Sequence, residues 1–314
     1  MARPLHALGI LGILAAGTAG ASAAEPESCQ APRFSDVGWT DITATTATTG
    51  LILEKLGYRP DISVLSVAVT FQALQQGDID VFLGNWMPLQ DPIATPLVDS
   101  GAIDVVATNL EGALIGFAVP AATYEAGLRT YADIAKFEDE LGGQIYGIEA
   151  GSSANETISG LIENDTFGLG GFTLVESSEQ AMLAQVENSI RQEEPIVFFG
   201  WRPHPMNVRL DMRYLEEGND TFGPDDGAAS VLTNTRAGYV AECPNVGKLL
   251  QNMTFTVEDE DLLMSYILDE DMQPAAAAER WLKENPGRID AWLDGVTTVS
   301  GEAGASAVRE GLDL

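Results

Sequence analysis

The sequence predicts an α/β fold of two lobes, each a mostly parallel sheet flanked by helices. Three observations carry this. From about residue 33 to residue 205, short apolar runs alternate with helical patterns, the rhythm of the β-α-β-α units that build parallel sheets. Beyond about residue 205 helical patterns dominate. No low-complexity linker divides the two regions, so they read as lobes joined by crossing strands. On this reading 25–115 plus 206–314 form one lobe and 116–205 form the other.

The elements follow in order. Residues 1–24 carry Arg3, an apolar run from Ala7 to Ala16, and Ala21-Ser22-Ala23 at a small-x-small cleavage position, which together read as a secretory signal. The run is too short to span a bilayer. Cys29 follows Pro-Glu-Ser, not the small apolar run of a lipoprotein signal, so the product is expected free in the periplasm. Strands are expected at Arg33–Val37, Ile62–Val67, Val81–Asn85, Ala113–Val119, Ile145–Glu149, Phe172–Glu176 and Pro195–Gly200. Between them, Ile42–Leu56 reads as a helix ended by Gly57. Glu179–Glu194 reads as a second, with Met182, Leu183, Val186 and Ile190 on one face and Ser177 and Gln180 at capping-box spacing. The late helices are Val246–Met253, Glu258–Leu268 with its acidic first turn, and an Ala-rich stretch from Pro274 through Leu293.

Composition narrows the function. The chain has 314 residues, 45% of them hydrophobic, ample for a core. Sixteen Lys and Arg stand against 47 Asp and Glu, a formal net charge of −31. Such a surface repels phosphate backbones and anionic membranes, which argues against nucleic-acid partners, and it attracts small cations. G-x-S-x-G, H-E-x-x-H, Walker and G-x-G-x-x-G motifs are absent, so no enzyme is expected. His204, held between Pro203 and Pro205, has no nucleophile beside it. Beyond residue 24 it is the only histidine; with two distant cysteines it makes no metal site, and no metal or cofactor is expected. Cys29 and Cys243 are either a disulfide, which an exported protein permits, or two buried thiols.

The tryptophans are the informative residues. Trp281 and Trp292 sit among leucines in the late helical segment and read as core. Trp39, Trp86 and Trp201 each lie at the carboxyl end of an expected strand, just past a glycine, the position where open α/β sheets bind ligands. VFLGNWMP and VFFGWRPHP echo one another from opposite lobes. Three converging indoles suit a quaternary ammonium, which has no N–H to donate and is held by ring faces at about 1–2 kcal/mol each. Asp41, two residues after Trp39, either supplies charge and accepts a hydroxyl or caps the helix beginning near Ile42.

The segments FSDVGWTDITATTATT, DIDVFLGNWMP, YGIEAGSSAN, ESSEQAMLAQV, GWRPHPMN and AECPNVGKLLQN together resemble the periplasmic choline-binding proteins of bacterial ABC importers, within the glycine betaine/proline/choline substrate-binding family. The resemblance runs from about Cys29 to the C-terminus. It implies a Venus-flytrap fold and a monomer that delivers choline to a membrane permease. It further implies an aromatic box of Trp39, Trp86 and Trp201, with Asp41 and Asn155 bonding the hydroxyl end, and a Cys29–Cys243 disulfide. The chain departs from the pattern in places. Ile115 stands where the family has a fourth box aromatic, a tyrosine, and Phe117 lies two residues on, on the same strand face. Ser152-Ser153-Ala154 precedes Asn155, and Arg202 follows Trp201. Extra hydroxyls at a helix start and an arginine suit a carboxylate, so a zwitterion such as glycine betaine or dimethylsulfoniopropionate is the alternative ligand.

Overall fold

Residues 25–314 are described by a computed structural model; the expected signal segment, 1–24, lies outside the described residues. The strands are β1 (Arg33–Asp36), β2 (Asp61–Val64), β3 (Val81–Met87), β4 (Ile103–Pro120), β5 (Gln144–Tyr146), β6 (Thr173–Val175), β7 (Phe198–Arg202), β8 (Met212–Tyr214) and β9 (Ala228–Arg236). They form one sheet in the order β2-β1-β3-β9-β4-β7-β5-β6, with β8 paired to β4.

Strand β4 belongs to both halves of that sheet. Its first part, Ile103–Leu114, pairs antiparallel with β9, and its last part pairs with β7 over Leu114–Ala118 and with β8 over Ala118–Pro120. Three register shifts against β9 bend the ladder between them. The outer strands keep the expected parallel order: β1 with β2 and β3, β5 with β6 and β7. The central pairs differ from expectation in being antiparallel, because the chain crosses between halves on β4 and β9 without an intervening helix.

Neither β9 nor the first part of β4 carries the apolar alternation that marks a strand. In β9, Thr233, Asn234 and Thr235 are buried. Two of them are met across the ladder: the Asn85 side-chain amide donates to Asn234 Oδ1 at 2.7 Å, and that of Asn109 to Thr233 Oγ1 at 2.9 Å. Residues 206–227 also stay with the second half. Leu215 N–H donates to Phe117 O at 2.9 Å, and the Phe222 ring meets Phe117 and Phe199. Strand β9 then pairs with β3 and with the first part of β4.

The helices of seven residues or more are α1 (Thr40–Lys55), α2 (Val67–Gln76), α3 (Asp91–Asp99), α4 (Ser153–Glu163), α5 (Glu179–Gln192), α6 (Pro244–Asn252), α7 (Val257–Leu268), α8 (Pro274–Glu284), α9 (Pro286–Trp292) and α10 (Gly304–Gly311). Helix α1 is central to the first half: it packs on α7, α8 and α10 and reaches β1 and β3. Its threonines fit this burial because their hydroxyls bond back along the helix, Thr48 to Ala44 O and Thr49 to Thr45 O at 2.8 Å. Trp281 and Trp292 are core, fully buried and stacked with ring centres 5.6 Å apart. Cys29 and Cys243 are joined in a disulfide.

Candidate functional site

Three strand ends bring the aromatic residues together. After β1, Gly38 takes φ +82°, a conformation open to glycine and strained for other residues, and turns the chain into α1. Asp36 holds the turn by accepting from Gly38 N–H at 2.7 Å and the Thr43 hydroxyl at 2.8 Å. Trp39 is thereby the residue that opens α1. Trp86 and Trp201 are the penultimate residues of β3 and β7, and each precedes a cis X-Pro pair, Met87–Pro88 and Arg202–Pro203. In the β4–β7 ladder Ile115 stands opposite Trp201, and Phe117 opposite Phe199.

Between the halves lies a cavity lined by residues from both. Among the described residues, Trp39, Trp86, Trp201 and Phe199 line it together with Leu89, Ile115, Ile148 and Ala154, and Asp41 is the one charged residue in the lining. Phe199 and Trp201 stack at 5.8 Å with planes 29° apart. The indole N–H groups of two tryptophans are directed away from any ligand: Trp86 Nε1 donates to Asp41 Oδ2 at 3.0 Å, and Trp39 Nε1 to Glu149 Oε1 at 2.8 Å. The walls therefore offer π-faces and one carboxylate, which suits a cation without N–H groups.

Acids crowd this site. Burial pushes the Asp41 carboxyl up to about 7, with the neighbouring Glu179 charge adding to it and the Trp86 N–H opposing it. Burial also raises Glu149. Glu260, on the first turn of α7, lies far above the usual carboxylate range, through burial and then Asp41.

The residues read from sequence fall into two groups. Trp39, Asp41, Trp86, Trp201 and Ile115 line the cavity. Asp41 does not open α1; it is the second residue of that helix and bonds Trp86. Asn155 stands behind the wall. Its Oδ1 accepts from Ile148 N–H at 3.0 Å, and its Nδ2 lies 2.8 Å from Ile148 O, 3.1 Å from Glu149 O and 3.1 Å from Glu176 Oε1. Its donors are spent on the loop that carries Ile148 and Glu149, and Ala154 lines the cavity in its place. Gly147 permits this approach, since a Cβ there would collide with Asn155 Oδ1. Phe117 is buried against Tyr131 and Phe222, ring centres 5.0 and 5.3 Å away, and forms no part of the cavity wall. Arg202 is exposed, and Ser152 caps α4 by accepting from Asn155 N–H at 3.3 Å. Sequence reading missed Phe199, although its place two residues before Trp201 puts both on one strand face. It also missed Glu149 and Glu179, which nothing local distinguishes among 47 acids.

Comparison with known proteins agrees with this geometry. Residues 33–284 match the family described as the substrate-binding domain of an ABC-type glycine betaine transport system, OpuAC. An ABC-transporter choline-binding protein solved in complex with choline is similar over 92% of this chain and 100% of its own, at 52% identity and a TM-score of 0.90. A choline-binding protein in an unliganded semi-closed conformation aligns over the same shares at 51% identity and a TM-score of 0.84. Lactococcal OpuAC, closed on glycine betaine, aligns over 84% of this chain and 100% of its own at 25% identity and a TM-score of 0.75. The two-lobed periplasmic-binding-protein fold expected from sequence is the one these structures share. Matched over 33–284 of its 314 residues, the chain belongs to the OpuAC family of substrate-binding domains of ABC-type glycine betaine transport systems.

Proposed function

We propose that this protein is a monomeric, exported binding protein that captures choline in the box of Trp39, Trp86, Trp201 and Phe199 and hands it to the permease of an ABC importer. Its work is capture, not turnover. The division into lobes belongs to this proposal: 25 to about 115 with about 228–314 on one side, and 116–227 on the other, moved from the sequence boundary by the packing of Leu215 and Phe222 on the second half. The single observation that carries the ligand is the composition of the cavity wall among the described residues: four aromatic side chains, one carboxyl side chain, no basic side chain. Two methylated cation classes fit the rings. A glycine betaine carboxylate would meet Asp41, and two like charges roughly 5 Å apart repel by about 3 kcal/mol at an effective dielectric of 20. Choline has no such opponent. The higher TM-score against the choline-bound structure than against the semi-closed one supports reading this arrangement as the closed form.

Calorimetric titration with choline, glycine betaine, dimethylsulfoniopropionate and tetramethylammonium tests the reading. Choline is expected to bind most tightly at pH 8. Trp86→Ala and Trp201→Ala should each weaken it by several kcal/mol while circular dichroism stays unchanged. Betaine outcompeting choline at pH 8 would replace the choline assignment with the zwitterion one, and undiminished binding by both variants would move the site elsewhere.

A further inference from the structure

The carboxylate that ties the two halves together over the cavity does not itself line it. Helix α1 opens at Trp39, a residue with no side-chain acceptor for the free N–H groups of the first turn. The acceptor comes from the opposite half. Glu179, in the first turn of α5, takes the Thr40 N–H on Oε2 at 3.0 Å and the Thr40 hydroxyl on Oε1 at 2.5 Å. Its orientation is held from its own half by His204, whose Nε2 lies 3.3 Å from Oε1. His204 Nδ1 accepts the Met206 N–H at 3.0 Å, which leaves the ring proton on Nε2, directed at Glu179. All three side chains are buried. Beside them Glu149, also from the second half, holds the Trp39 indole. A carboxylate at a helix N-terminus gains from both the hydrogen bonds and the dipole, and here the gain exists only while the halves are together.

We propose that Glu179 is a closure latch, a positioning residue that caps α1 across the cleft and so sets how much of the protein occupies the closed, binding-competent form. This rests on the reading above of a protein that closes on its ligand. Apparent affinity scales with the competent fraction whatever the ligand's own contacts. The latch therefore changes affinity for every ligand by one common factor, whereas a residue that touches ligand changes the ratio between ligands.

The test compares parent, Glu179→Gln and Thr40→Val. Titration with choline and with tetramethylammonium, which lacks the hydroxyl, gives the affinities; stopped-flow tryptophan fluorescence gives dissociation rates; small-angle scattering of the unliganded proteins gives their dimensions. Loss of a charge-assisted hydrogen bond corresponds to about tenfold. Each variant should weaken both ligands by one common factor, about tenfold for Glu179→Gln and less for Thr40→Val, through faster dissociation, and each should be more open than the parent without ligand. Thr40→Val removes the hydroxyl bond from the other side and keeps the backbone N–H bond, so a common loss there decides the matter should Glu179→Gln fold poorly. A loss that differs more than about twofold between the two ligands, or unchanged affinities with unchanged dimensions, overturns the latch. If the parent binds neither ligand, the choline reading fails, and the scattering comparison still decides whether Glu179 holds the halves together.

Discussion

At the scale of single residues, the proposed reading makes Asp41 the group that sets both charge selection and pH response. Burial, and then the Glu179 charge, push its carboxyl up to about 7, and burial likewise raises Glu260 well above the usual carboxylate range. A bound quaternary cation favours the ionised form and lowers that value, so choline binding expels a proton wherever the empty site holds one. The sign follows: choline affinity is complete above pH 7 and declines as pH falls below it, by roughly fivefold from pH 7 to pH 6. Glycine betaine behaves oppositely relative to choline. Protonating Asp41 removes the repulsion of its carboxylate, so the preference for choline narrows on acidification. Titrations at pH 6, 7 and 8, in buffers of different ionisation enthalpy, measure both the slope and the proton. In Asp41→Asn the slope should vanish, and choline should lose more affinity than tetramethylammonium, since the carboxylate is also the cavity's acceptor for a hydroxyl.

At the scale of elements, the site depends on how strand ends and helix starts are held. The loop between β5 and α4 has no regular structure, yet it supplies Ile148 to the wall and Glu149 to the Trp39 indole. Asn155 replaces the missing ladder by bonding both polar groups of Ile148 and the carbonyl of Glu149. Asn155→Ala leaves these groups unpaired, which costs about 2–3 kcal/mol of stability. It should also weaken choline and tetramethylammonium alike, because the wall shifts without loss of a hydroxyl partner. Thermal melts and the two titrations check this; a selective loss of choline would instead make Asn155 a direct ligand of the hydroxyl.

At the scale of the whole molecule, cross-linking and closure are separated. The disulfide joins Cys29, ahead of β1, to Cys243, ahead of α6, across 214 residues. On the proposed lobe division both neighbouring elements belong to one lobe, so the bond restrains unfolding without spanning the cleft. Replacing both cysteines by serine should lower stability by about 3–5 kcal/mol and change the choline dissociation constant by less than about twofold. Denaturant unfolding and calorimetry on the same sample separate the two. Closure itself is carried by contacts that cross the cleft, the Trp39–Glu149 and Thr40–Glu179 bonds, and by ligand wherever it favours the closed form.

By itself the sequence determined what short-range pattern can encode. The parallel outer strands were legible from apolar runs, α1 and α5 from periodicity and their end signals, and the chemistry of the box from three tryptophans repeated at strand ends. The family resemblance added the cysteine pairing, the candidate Asn155 and the missing tyrosine at Ile115. Tertiary structure decided what depends on neighbours distant in the chain. Strand β9 is polar along its buried stretch and makes sense only beside Asn85 and Asn109. Phe117 and Phe199 are both apolar residues facing each other in one ladder, and only the packing of Tyr131 and Phe222 assigns one to the core while the cavity takes the other. Asn155 was recognisable as a residue of the site, but its donors are consumed by a loop whose path no spacing reveals. Glu179 is one acid among 47 until folding sets it 2.5 Å from the Thr40 hydroxyl, 139 residues earlier in the chain. Local propensity specifies elements, and hydrogen bonds between remote residues are specified only by the fold that brings them within reach.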